Sequence, residues 1–406
     1  MTGGDGACVV ADLHTHLPMH VEPTVESGAF ADRLGLLRDR WRYAAVSAAG
    51  RFGNLERATG RPRVSLPLLR EGGVGIALSV LYSPFDEMIL GPRWHLREMR
   101  NRGRRYHWAP PGPRAYPRLL RQLESIERHV AGYGDLASIV RDRAGLESAL
   151  AAGKVAVVHC VEGGFHVSHA ASVDRAVAEL ARRGVAYITL GHLYFKSVAT
   201  VAPAWAAVSQ ARWHAIWPQP HVGLTDAGRA VVRAMVRNRV LLDVAHLSST
   251  ALEQVFALLD ELDPEHTLPV LASHVALRFG DNEYNLADET VERIAARDGV
   301  VGLIASAPHL ADGGKAPASF DDTFRALFRH IDRLRSLTGS HRHAAIGTDL
   351  GGFITPAAGL ENVGRLGALQ RALGARYGDQ EAELIASGNV LRLLRARWST
   401  EDPRRR

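Results

Sequence analysis

Seven side chains able to bind metals or move protons stand at the ends of apolar runs: His14, His16, Glu162, His192, His246, His274 and Asp349. Imidazole and carboxylate together form a donor set suited to zinc and related divalent ions. Residues two apart in an extended strand point to the same side, so His14 and His16 in "DLHTH" face one way. Alone, that pair fits an exposed or hydrogen-bonded couple at a strand end as well as it fits a metal site. Glu162, in "HCVEGG", follows an apolar run, where a carboxylate is costly unless it is paired, coordinated or solvated. His246 and His274 close the runs "LLDVAH" and "PVLASH". One such histidine is ordinarily a hydrogen-bonded structural residue. Two on successive runs, joined to the His-x-His pair and Glu162, favour a shared metal site. Asp349, in "IGTDLGG", is placed to take a proton from a metal-activated water, while the glycines after it leave a turn or helix-cap role open.

These residues need a scaffold that brings strand ends together. Eight apolar runs predict strands near 8–14, 73–81, 154–161, 185–192, 239–246, 268–274, 299–306 and 343–349. Several are continuously apolar, as strands buried on both faces are. Helical patterns alternate with them: 225–238 opens on Thr225 and Asp226 as a cap, and 172–184 and 288–299 are capped likewise and end at glycine. Eight strand–helix units predict a (β/α)8 barrel, whose strand C-termini converge on one site. A doubly wound open sheet is the rival fold, but no GxGxxG follows the first run. Long segments at 83–115, 194–222 and 305–321 each follow a strand and so belong on the C-terminal face. Their Trp and Tyr content suits a cover over a substrate. The chain reads as one barrel domain over 1–406, with its main insertions at about 83–135 and 194–222.

Composition sets the remaining bounds. Of 406 residues, 49 Lys and Arg stand against 43 Asp and Glu, a net charge of +6. The basic residues are scattered except at 93–105 and 404–406, and no aromatic-interleaved basic stripe points to nucleic acid. Two cysteines, Cys8 and Cys160, exclude a disulfide framework and fit a reducing compartment. With no recognisable signal peptide and no apolar run of membrane-spanning length, a cytoplasmic location is expected.

The motifs "VVHCVEGG", "YITLGH", "GLTDAGRAVVRAMVRNRVLLDVAHLS", "PVLASH", "NLADETVERIAARDGVVGL", "IGTDLGG" and "GNVLRLL" occur together in one order. In that order and spacing the chain resembles the renal (membrane) dipeptidase family of zinc metallopeptidases, within the amidohydrolase-like barrels. The resemblance covers most of 8–395 and is weakest in 83–135 and 194–222. It implies two divalent ions, expected to be zinc. His14 and His16 would bind the first, His246 and His274 the second, and Glu162 would bridge them. It further implies that His192 contacts the substrate and steadies the tetrahedral intermediate, and that Asp349 shuttles a proton between a metal-bridging hydroxide and the leaving amine. The expected substrate is a dipeptide or similar small amide, and relatives of this type are often dimers. Two positions depart from the family. His16 stands where the family usually has Asp, which makes the first metal site one unit less negative. Tyr284 stands where the family commonly has the Arg that grips the dipeptide carboxylate, with Arg278 in the same loop as a possible substitute. A hydrolase of another amide, a lactone or an ester, and a non-catalytic barrel acting as a binding protein, remain as alternatives. The complete ligand set weighs against the second.

Overall fold

A computed structural model describes residues 10–21, 55–56, 59–84, 87, 114–206 and 208–399. The start of the first predicted strand, nearly all of the 83–115 segment with its basic stretch, and the C-terminal arginines lie outside these residues. Nine parallel strands form the sheet: β1 (Val10–Thr15), β2 (Val74–Leu81), β3 (Ala137–Val140), β4 (Val155–Glu162), β5 (Tyr187–Thr189), β6 (Leu241–Asp243), β7 (Val270–Val275), β8 (Val300–Leu303) and β9 (Ala344–Ile346). Eight of them close in the order β1-β2-β4-β5-β6-β7-β8-β9 and back to β1. This is the expected (β/α)8 barrel, and all eight predicted strands are present in it.

β3 was not predicted. It pairs with Val155–Val158 at the start of β4, while β5 pairs with Val161 and Glu162 at its end, so the two share one edge. β5, β6, β8 and β9 have only three or four residues each, shorter than their apolar runs. The rest of each run bends off the ladder and carries its polar residue over the barrel mouth. β2 (VGIALSVL) and β4 (VAVVHCVE) are buried at all eight positions, the both-faces-covered pattern of a parallel sheet.

The helices Val173–Arg182 and Asp226–Arg237 are capped as predicted, by Ser172 accepting from the Arg175 amide and Thr225 accepting from the Gly228 amide. Asp288–Ala296 differs: Ala287 is its cap residue and offers no side chain. Asp288 and Glu289 instead occupy the first turn, where they complement the helix dipole. Among the described residues no helix is long and apolar enough to cross a membrane.

Two glycines let the strand ends approach closely beside Ser273. A β-carbon on Gly347 would lie 1.7 Å from the Ser273 carbonyl oxygen, and one on Gly302 would lie 2.0 Å from it. Backbone cannot yield as a flexible side chain can. Gly347→Ala is therefore expected to cost about 1–3 kcal/mol, the usual range for overpacking. A thermal unfolding midpoint equal to that of the wild type would contradict this.

Candidate metal centre

Each barrel strand delivers polar or lining groups to one mouth. His14 and His16 come from the end of β1, Glu162 from the last position of β4, and His274 from the penultimate position of β7. His192, His246 and Asp349 each lie three residues beyond their strands. All seven are buried.

Glu162 is the centre. The Nε2 atoms of five histidines lie 3.2–3.6 Å from its two oxygens: His14 (3.2 Å), His192 (3.3 Å), His274 (3.5 Å), His16 (3.6 Å) and His246 (3.6 Å). Yet neither carboxylate oxygen, nor His14 Nε2, makes a hydrogen bond of regular geometry. A buried anion left in this condition is costly. Divalent cations among these donors would satisfy the oxygens and the nitrogens together. Asp349 Oδ1 lies 3.0 Å from His16 Nε2 and 3.9 Å from His14 Nε2, on the side facing the cavity. His246 Nε2 and His274 Nε2 face each other at 2.9 Å.

A second set of buried groups fixes which nitrogens point inward. Ser273 Oγ donates to Asp243 Oδ2 (2.6 Å), so it accepts from His274 Nδ1 (2.7 Å) and His14 Nδ1 (3.2 Å). The Tyr187 hydroxyl donates to the Leu13 carbonyl (2.9 Å) and likewise accepts from His14 Nδ1 (2.8 Å). With their protons committed at Nδ1, His14 and His274 turn Nε2 lone pairs toward Glu162, the tautomer a metal needs. Asp243 could be counted with His14 and His274 as a ligand on distance alone. It already accepts from Thr189, Ser273 Oγ and the Ser273 and Ala245 amides, so it serves as a strut. Asp12 does the same on β1, where it accepts from the Thr348 amide and hydroxyl and ties β1 to the loop carrying Asp349.

Charge follows from this packing. Burial opposes ionisation of Glu162, but His192 and His14 outweigh it and hold the carboxyl well below its usual range. Burial likewise opposes a charge on His192, but Glu162 and Glu87 hold its pKa up at about 9. Burial keeps His246 and His274 neutral, the form that ligates metals. Burial also disfavours protonated His14, yet Glu162 outweighs it and raises the pKa.

Two of the site residues sit in left-handed backbone: His246 (φ 68°) and Asp349 (φ 58°). Such conformations cost on the order of 1–3 kcal/mol and concentrate at functional sites. Asp349 is held there by its amide, which donates to the His14 carbonyl (2.9 Å). A β-carbon on Gly352 would lie 2.4 Å from Asp349 Oδ1, so this glycine makes room for the carboxylate.

Above the centre lies a cavity of about 240 Å³. His16, His192, His246 and Asp349 form its polar side, and Leu193, Trp205, Ile304 and Phe353 its apolar side. Trp205 and Phe353 pack on a small second core of Leu193, Tyr194, Val201 and Trp213, which orders the 194–222 segment over the mouth. The 305–321 segment contributes Ser306, Pro308 and His309.

Tyr284 also lines the cavity; its hydroxyl donates to the His274 carbonyl (2.7 Å) and its ring lies edge-on to His246. Arg278 is not brought to the cavity. Its guanidinium donates to the carbonyls of Asn282, Glu283 and Asn285, holding that loop. The residues that sequence reasoning missed are Glu87, Tyr82, Tyr187, Asp12, Asp243 and Ser273. Asp243 left a signal, as the one charge inside the run "VLLDVA".

A family model described as membrane dipeptidase (Peptidase family M19) matches residues 7–404. Dipeptidase 3 of Rattus norvegicus is 28% identical over 278 residues, 68% of this chain and 51% of that protein. The chain thus spans about half the length of such curated relatives. Among solved structures, a dipeptidase of family M19 superposes with a TM-score of 0.68 at 22% identity, covering 97% of this chain and 99% of that one. A metallopeptidase from Rhodobacter sphaeroides, liganded with a phosphinate mimic of the dipeptide L-Ala-D-Ala, gives 0.68 at 22% identity, covering 96% and 99%.

Proposed function

The chain belongs to the membrane dipeptidase family of metallopeptidases, and from that premise we propose that it is a metal-dependent dipeptidase. The observation that carries the reading is Glu162, one buried carboxylate ringed by five imidazoles without regular hydrogen bonds. In this reading His14, His16, Glu162, His246 and His274 would hold two divalent ions. The nitrogen and oxygen donors favour zinc. Bound there, the ions would supply Lewis acidity and lower the pKa of a shared water.

The remaining residues handle the amide. Asp349, at the cavity side of the centre, takes a proton and returns it to the leaving amine. His192, beside the cavity with Glu87 behind it, steadies the carbonyl oxygen as it gains charge. The apolar side receives the substrate's side chains. The substrate in this reading is a small peptide.

The test is hydrolysis of a panel of L,L- and L,D-dipeptides with and without a chelator. Cleavage of none of them, or cleavage indifferent to metal removal, would overturn the reading. Tyr284 sharpens the panel. A tyrosine whose hydroxyl is already committed offers no cationic grip for a free carboxylate, and Arg278 is engaged elsewhere. Dipeptides and their C-terminal amides are therefore expected to differ in kcat/KM by less than about tenfold, or about 1.4 kcal/mol. A preference of several hundredfold for the free acid would show that another cation fills the role.

A further inference from the structure

Glu87 is buried far from water, directly behind His192. Its Oε2 accepts from His192 Nδ1 (2.6 Å) and from the Tyr82 hydroxyl (2.7 Å), and its Oε1 accepts from the Tyr194 amide (3.0 Å). Both oxygens are thus engaged, from three directions. The Tyr82 ring also stands edge-on to the imidazole, with centroids 4.5 Å apart. His192 itself lies in a loop three residues beyond the short strand β5, where no ladder hydrogen bond aims its ring. Its other nitrogen, Nε2, reaches 3.3 Å from Glu162 Oε2 and faces the cavity.

We propose that Glu87 is a positioning residue for the hydrolysis reaction: clamped by Tyr82 and the Tyr194 amide, it fixes the His192 ring so that Nε2 is aimed at the substrate carbonyl. This rests on the dipeptidase reading for its reaction and on the Glu87–His192 contact for its geometry. A carboxylate behind an imidazole sets ring orientation and the site of the proton, and losing one typically costs 10–100-fold in activity. Glu87 is itself neither one of the five ligand residues nor a lining residue; it meets the cavity through His192 and Tyr82, which both line it. On this proposal its effect passes through His192, a dependence that a merely structural role, or one exerted through Tyr82 alone, would not show.

The experiment is a double-mutant cycle on the full metal-loaded chain, with L-Ala-D-Ala as probe dipeptide and E87Q, H192A and the double variant compared with wild type. Gln keeps the size of Glu and so preserves packing. E87Q is expected to lower kcat by about 10–100-fold with KM little changed, and to cost almost nothing further when H192A is already present. Losses that multiply in the double variant would overturn the proposal, since Glu87 would then act independently of His192. A second measurement needs no turnover. Proton NMR of the metal-free protein should show a downfield imidazole N–H resonance that is absent in H192A and lost or moved upfield in E87Q. A resonance unchanged in E87Q would overturn the clamp itself. If wild type cleaves no dipeptide, the dipeptidase reading falls, and the NMR comparison still decides whether Glu87 holds His192.

Discussion

Asp349→Asn is expected to lower kcat by about 10²–10⁴-fold, the range carried by a positioned general acid–base group, while metal content stays near that of the wild type. Asparagine keeps the shape of the side chain, the left-handed backbone tolerates it, and the hydrogen bond that the backbone N–H donates to the His14 carbonyl is untouched. What disappears is the capacity to accept and return a proton beside the cavity. The same variant separates two roles for this carboxylate. Asp349 Oδ1 lies close enough to His14 and His16 to join them around an ion. If Asp349 were chiefly a ligand, the Asn variant would lose about one ion per chain along with its activity. Activity unchanged would exclude both roles. The outcome bears on His16, because an imidazole brings no negative charge to an ion, and Asp349 stands near enough to supply one.

Glu162→Gln is expected to differ in kind, with activity falling by more than the 10–100-fold that outer partners carry and metal retention after dialysis falling with it. The carboxylate is the only anion within reach of all five Nε2 atoms among the described residues. Gln replaces one oxygen by a donor that opposes cation binding, and it removes the carboxylate that His192 Nε2 approaches to 3.3 Å. Metal content and activity both at wild-type levels would remove Glu162 from the centre of the site. Together the two variants distinguish a residue that holds the metals from one that works beside them.

Much of this was legible because barrel geometry turns strand position into spatial position. His14 and His16 at the end of one apolar run, and Glu162, His246, His274 and Asp349 at the ends of others, had to meet if the runs closed into a barrel. What could not be read was how each imidazole is aimed. Tyr187 and Ser273 orient His14 from strands 173 and 259 residues away in sequence, and nothing local to either residue announces it. Glu87 was hidden for another reason: it follows β2 inside the long segment that interrupts the strand–helix alternation, with no periodicity to mark it. β3 escaped because "ASIV" is four residues long and only half-buried, too short for an alternation to register. Arg278 shows the opposite limit. Its charge made it a candidate for gripping a carboxylate, but its guanidinium is consumed by three carbonyls of its own loop, which only the fold reveals.

The central claim is that these buried donors hold metal for catalysis. The most direct measurement is the ratio of divalent metal to protein, by elemental analysis of the purified chain. The account predicts two ions per chain. A chain that carries no divalent metal after purification, and takes up none when zinc or manganese is supplied, would contradict it.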